Sequence, residues 1–388
     1  MSKDYMKIQS VTIDYLRPLL AIMVVGLHVR PYYTTGTELF FDGTFEALVI
    51  TIFRVLFSMA VPFFFLISGY FFYKGLQDWD KSVWSDKIRK RIRTLLVPYL
   101  LWNLIAFAGY CITRFAGHVI KGVPFPNLIE ELSERGWIRL LWDRCLYGDI
   151  KPDVINLFGY AVSTGSPMNG PTWFLRDLFV VLLFTPVIWW LIRHLKKSFI
   201  IIAGILYVVD LWFPFAGFSS KAVFMFSLGA WLFLTGNNLV SISQKHPRIQ
   251  ALTALALLLV AAMSLGYNEW IYCISSRLFI VCAIPVLFRM VAKKVMTGET
   301  VTKKWKQDLS NSSFFVYVVH TVLITDAINW VILSLAKNPC KPLSFTLLII
   351  STLTVYMICH LLWLFFNRIT PRTMNILTGN RSSGQKQN

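Results

Sequence analysis

The chain has 388 residues, of which 56% are hydrophobic and only 15% charged, against about a quarter charged in soluble domains. With 14 tryptophans and 31 phenylalanines besides, this excludes an ordinary soluble enzyme and describes a protein that crosses a membrane many times. The formal net charge of +18 comes with no RNA- or DNA-binding motif, and the membrane topology derived below accounts for it, so nucleic acid is not an expected partner.

The first apolar stretch, residues 11–30 (VTIDYLRPLLAIMVVGLHVR), carries Arg17 and His28. On an α-helix eleven steps return to within about 20° of the start and advance about 16 Å along the axis, so both side chains belong to one stripe. Charged and titratable groups inside a membrane are costly and usually face a protein interior or a wet pathway. Two in register suggest a polar tunnel. The segment is read as a span rather than a cleaved leader, because no small-x-small site follows it and many spans come after.

Further apolar runs follow at 46–73, 92–113, 172–192, 198–214, 221–236, 251–267, 271–291, 313–334 and 343–366, the pair over 198–236 being short. With 13–29 they make ten, which puts both termini on one side. That side collects 24 Lys and Arg between the runs and the other side 10, so the positive-inside rule places both termini in the cytoplasm. The expected fold is an all-α membrane protein of about ten spans. Residues 1–378 form one transmembrane domain, and 379–388 (GNRSSGQKQN) form a disordered cytoplasmic tail. The longest outer connection, roughly 114–171, contains an amphipathic piece at 136–146, expected to lie on the membrane face. No internal repeat is visible. The six cysteines show no metal-type spacing, and no metal is expected; Cys145 and Cys340 both fall on the outer side, where a disulfide is open to them.

Several separated segments resemble the acyltransferase-3 family of integral membrane acyltransferases. IDYLRPLLAIMVVGLHV resembles the family's first helix, with Asp14, Arg17 and His28 in its R-x10-H pattern; Pro18 stands where glycine is usual. VPFFFLISGYFF (61–72) resembles its Phe-rich Ser-Gly-aromatic helix end. KIRKRIRTLLVPY (87–99) resembles its basic entry to span three. PTWFLRDLFVVLLFTPV (171–187) resembles the Trp-Phe-Leu variant of its span-four signature, in place of the commoner Trp-Ser-Leu followed by Glu. SSFFVYVVHTVLI (312–324) resembles its late Tyr-x-x-His helix. In this order they cover nearly the whole chain, which resembles the stand-alone kind without an added SGNH domain. The resemblance implies transfer of an acyl group, most often acetyl from acetyl-CoA, to a surface glycan or lipid-linked sugar, in a bacterial-type cytoplasmic (inner) membrane. It also implies that Arg17 and His28 are essential.

Acyl transfer to a hydroxyl needs a base, a positioned thioester and oxyanion stabilisation. His28 suits the base, or a transient acyl carrier; the competing reading is a core histidine bonded to a backbone carbonyl. Arg17 suits a cation that positions CoA, with Asp14 orienting it; the competing reading is a snorkelling i, i+3 salt bridge. Lys87, Arg89, Lys90, Arg91 and Arg93 suit CoA phosphates on the inner face, with Arg89 and Arg93 the favoured pair, or equally an anionic leaflet. Ser68 next to Gly69 suits a thioester contact or helix packing, and His320 a second polar tunnel residue. Trp173 suits a sugar platform or an interfacial anchor. Arg54, Arg277 and Asp326 suit an acceptor cavity open outward, or buried ion pairing of Asp326 with either arginine. A polytopic exporter is the alternative to an enzyme; paired broken helices and inverted repeats would mark it, and none is found in the sequence.

Overall fold

A computed structural model describes residues 3–29, 45–76, 78–122, 138–143, 154–157, 160–163, 165–213, 215–265, 267–297, 304–335 and 345–380. Helix α1 runs unbroken over Lys3–His28 with Pro18 inside it, so the missing Pro18 N–H leaves the Arg17–His28 spacing intact. The second apolar run folds as α2 (Phe45–Phe57) and α3 (Ala60–Phe72). The break at Ser58–Met59 lies where Pro62 cannot donate to the Ser58 carbonyl. Asp80 opens α4 (Lys81–Arg91) by accepting from the Ser82 and Val83 amides. Through a π turn at Ile92–Leu96, α4 leads into α5 (Val97–Lys121), which Gly122 ends at φ 67°.

After α5 the described residues include the short α6 (Ile138–Trp142) and a two-stranded antiparallel hairpin, β1 (Val154–Leu157) with β2 (Tyr160–Ser163), in which Val154 pairs with Ser163. The hairpin departs from the all-helical expectation; its quartets VINL and YAVS are separated by two residues, the second a glycine, which is hairpin spacing.

The fourth run was expected as one span, but α7 (Trp173–Leu183) and α8 (Thr185–Leu195) meet at a 62° bend. Pro186 causes it, since it cannot donate to the Leu182 carbonyl. The Thr185 hydroxyl serves that carbonyl instead at 2.6 Å, and Trp84 Nε1 and Tyr73 OH donate to Thr185 at 2.9 and 2.7 Å. Next come α9 (Lys197–Val208), α10 (Ser220–Leu234), α11 (Leu239–Gln244), α12 (Pro247–Ser264) and α13 (Glu269–Met296). The chain continues with α14 (Lys304–Val319), a π turn at His320–Ile324, α15 (Thr325–Leu335), α16 (Phe345–Ile369) and α17 (Pro371–Leu377).

Each of the ten apolar runs is helical over much of its length among the described residues. Among the described residues six helices are long and apolar enough to cross a membrane, seven if the bent pair is one span. The architecture is that of a multi-pass membrane protein. The 12 and 15 residues of α9 and α10 fall short of the about 20 a straight span needs.

Helix α1 packs against α2, α3, α13, α14 and α16. Its α3 neighbour crosses α10 at backbone contact: a Cβ on Gly69 would collide with the Phe226 carbonyl, and one on Gly229 with the Leu66 carbonyl. Gly69 of the Ser-Gly motif therefore serves helix packing. At the C-terminus Trp102 Nε1 donates to the Leu377 carbonyl at 2.9 Å, and Gly379 (φ 64°) lies against the carbonyl of Thr94, which Pro98 leaves without its helical donor. Gly379 and Asn380, assigned to the tail by composition, thus close α17 against α5. Residues 381–388, Cys145 and Cys340 lie outside the described residues.

Candidate active site

The last turn of α1 and the π turn after α14 bring His28 and His320 together. His28 Nδ1 lies 2.8 Å from the Val24 carbonyl, His320 Nδ1 lies 3.0 Å from the Val316 carbonyl, and His320 Nε2 lies 3.2 Å from His28 Nδ1. The rings meet edge to face with centroids 4.9 Å apart. A carbonyl only accepts, so each Nδ1 is assigned its hydrogen, and His320 Nε2, which faces His28 Nδ1–H, is the accepting nitrogen. His28 Nδ1–H is then shared between Val24 and His320 Nε2, and His28 Nε2 has no hydrogen-bond partner among the described residues. A π turn at a buried polar residue is a common accompaniment of function. Here the His320 carbonyl accepts from both the Thr325 amide and, at 2.7 Å, the Thr325 hydroxyl.

The loop before α7 holds this turn in place. Asn169, 2% exposed, donates through Nδ2 to the Val318 carbonyl at 2.8 Å and accepts from the Thr321 hydroxyl at 3.0 Å. Its amide donates to Asn103 Oδ1 on α5 at 2.8 Å; Asn103 Nδ2 in turn reaches the Tyr99 carbonyl and the Thr172 hydroxyl at 2.8 and 3.1 Å. Tyr317 OH donates to the Pro171 carbonyl. Burying so many amide and hydroxyl groups is tolerable only because each finds a partner. Sequence reasoning passed over Asn103, Asn169, Thr172 and Thr321; an Asn within the apolar run 92–113 was the available signal.

Of the outer-half candidates, Arg54 is half-buried on α2 and lies close enough to His28 and Tyr272 to act on both through space. Arg277 does not meet Asp326. Its guanidinium pairs with Asp210 at 2.8 Å and donates to the Tyr207 carbonyl at 3.1 Å, because Asp210 turns left-handed (φ 60°) at the end of α9 and presents its carboxylate there. Asp326 is exposed. Trp173 carries the Lys221 ammonium 5.4 Å above its ring and packs against Phe65, centroids 6.3 Å apart, so both neighbours take contact surface that a sugar platform would need. Beside it Arg176 and Asp177, 5% and 1% exposed, pair at 3.0 Å, an adjacent ion pair that the sequence reading left unassigned.

Toward the other end of α1, Arg17 pairs with Asp14 at 2.8 Å with 49% and 39% of the side chains exposed. On α4 and the following π turn Arg89, Lys90 and Arg93 are exposed and Arg91 is half-buried; Arg89 Nη1 lies 3.7 Å from Asp86. Lys87 differs from its neighbours: its ammonium donates to the Lys74 carbonyl at 2.7 Å and lies over Phe72, closing the C-terminal end of α3. Ser68 is half-buried on α3. Among the described residues no group of three or more His, Cys, Asp or Glu could hold a metal ion.

A family model described as an acyltransferase domain, that of acyltransferase family 3, matches residues 11–364, a range that includes both histidines, the Asp14–Arg17 pair, the basic segment and the Asn169 network. The chain is 24% identical over 385 residues to a succinoglycan biosynthesis protein, ExoH, of Rhizobium meliloti, covering 97% of this chain and 94% of that one. It is also 31% identical over 130 residues to a serine/alanine racemase of Enterococcus gallinarum, covering 34% of this chain and 17% of the racemase. No solved structure matches significantly.

Proposed function

The chain belongs to acyltransferase family 3 and is an O-acyltransferase, and from that premise we propose that it moves an acyl group, acetyl in the first instance, from cytoplasmic acyl-CoA to a hydroxyl of a cell-surface polysaccharide or its lipid-linked precursor. The observation that carries this reading is the His28–His320 pair, in which His28 Nε2 has no hydrogen-bond partner among the described residues. The full-length similarity to a polysaccharide biosynthesis protein favours a glycan acceptor.

In this mechanism His28 Nε2 takes the proton of the acceptor hydroxyl as its oxygen attacks the thioester carbonyl. His320 Nε2 accepts from the Nδ1–H of the imidazolium and so steadies the charge that develops on His28. The proton returns from His28 to the thiolate sulfur as the carbon–sulfur bond breaks. Arg17, oriented by Asp14, holds the donor in line with His28, about 16 Å farther along one helix face. The forks of Arg89, Arg91 and Arg93, with Lys90, take the phosphates at the membrane surface, and the half-buried Ser68 hydroxyl borders the thioester path. This arrangement needs the termini in the cytoplasm of a bacterial inner membrane, as the Lys and Arg distribution indicates.

The test is transfer of radiolabelled acetyl from acetyl-CoA to purified polysaccharide repeat units by protein in nanodiscs. An alkali-labile ester on the sugar, lost in His28→Ala, is expected. Release of glycan across a vesicle membrane with no acylated product would replace the enzyme with an exporter.

A further inference from the structure

Lys221 is at odds with the way this protein treats its other inward cations. Arg176 spends its donors on Asp177 Oδ1, at 3.1 and 3.0 Å, and on the carbonyls of Gly165 and Trp142. Arg277 spends its own on Asp210 and two carbonyls of α9. The Lys221 ammonium, half-buried in the first turn of α10, has neither a hydrogen-bond acceptor nor an ion-pair partner among the described residues. It rests on the Trp173 ring at 5.4 Å, and Asp177 and Asp210 act on it only through space.

Asp177, one of the two carboxylates that act on it, is engaged elsewhere: its Oδ1 takes both Arg176 contacts, and the carboxylate interacts with Ser219, the N-cap of α10. A cation–π contact contributes about 0.5–2 kcal/mol and leaves all three ammonium N–H donors open. A cation in the first turn of a helix also opposes the helix dipole. In a membrane protein, such a group pairs with something or lines a wet route to a ligand.

Its position supplies the ligand's place. Trp173 directly follows Thr172, whose hydroxyl joins the Asn103–Asn169 network, and Asn169 holds the turn that carries His320. Phe174 packs on Tyr317, ring centroids 5.9 Å apart, three residues before His320. The open ammonium therefore belongs to the same end of the bundle as the His28 base, on the side away from the Asp14–Arg17 pair.

Resting on the acyltransferase reading, we propose that Lys221 is an acceptor-recognition residue that binds a carboxylate on the glycan, with Trp173 positioning its ammonium, so that the protein prefers an acidic sugar repeat to a neutral one. Trp173 acts through Lys221 rather than as an open stacking surface for the sugar.

The probe pair is a glucuronate-containing tetrasaccharide and its carboxyl-reduced glucose counterpart, tested with the full chain in nanodiscs for binding by calorimetry and for acetyl transfer. Wild type is expected to bind the acidic probe at least ten-fold more tightly. Lys221→Met should erase that ratio by weakening binding of the acidic probe, and Lys221→Arg should restore most of it. Trp173→Leu should weaken acidic-probe binding in the same direction, and Trp173→Phe less so. Equal binding of both probes by wild type, or a ratio preserved in Lys221→Met, overturns the proposal. Should Lys221→Met fold poorly, the Lys221→Arg and wild-type ratios still decide. Preferential binding of the acidic probe without any ester formed would retain the site and refute the acyltransferase reading; transfer without preference would do the reverse.

Discussion

Replacing His320 by alanine separates a base from its support. The substitution removes the Nε2 acceptor 3.2 Å from His28 Nδ1, but leaves the Val24 carbonyl at 2.8 Å to keep His28 in the same tautomer. The loss is one hydrogen bond in a buried setting, about 1 kcal/mol, or about five-fold in rate. His28→Ala instead removes the proton acceptor itself, for which general-base catalysis sets a loss of about 10²–10⁴-fold. The assay is initial rate of acetyl ester formation at saturating acetyl-CoA, with thermal melting in detergent as a control for the cavity left in the core. A double variant should be no slower than His28→Ala, because His320 acts only through His28. If His320→Ala is as inactive as His28→Ala while melting normally, or if the two losses multiply, His320 handles the proton directly and the assignment of roles is wrong.

Arg17→Gln should raise KM for acetyl-CoA more than it lowers kcat, and Arg89→Gln with Arg93→Gln should do the same with a steeper dependence on ionic strength; unchanged KM in both would remove them from the donor site. Thr185→Val leaves the Leu182 carbonyl and Trp84 Nε1 without partners, at about 1–3 kcal/mol each; a lowered melting temperature is expected, with Thr185→Ser close to wild type, and equal melting of all three would contradict the account of the bend. Gly69→Ala should force α3 and α10 apart and lower folded yield far more than Ser68→Ala, which has no comparable backbone contact to lose; equal yields would mean that the crossing is looser than described. Hydrogen bonds from the Ser82 hydroxyl and the Ser82 and Val83 amides hold the Asp80 carboxyl below its ordinary value, so its capping contribution is complete above the unfolded value of about 3.9 and fades as pH falls through the folded one. Amide exchange at Ser82 and Val83, corrected for intrinsic rates, should accelerate below that range in wild type and be pH-independent in Asp80→Ala.

Composition and one-dimensional periodicity were enough for the helical membrane class and for the family. Arg17 and His28 could be read as one seam because they lie on one helix, where 3.6 residues per turn decide which side chains share a face. Pairing between helices was not legible. His320 lies 292 residues from His28, and its contact depends on the rotation of two helices about their axes, which the packing of α1 against α14 and its other neighbours sets. The same holds for Arg277, whose partner is Asp210 rather than Asp326, and for Lys221, which reads in sequence as an ordinary outer-loop cation. Local hydrogen-bonding rules say where a helix bends, as Pro186 does; only the packed tertiary structure decides which polar groups are satisfied by one another and which, like the Lys221 ammonium, meet no acceptor among the described residues.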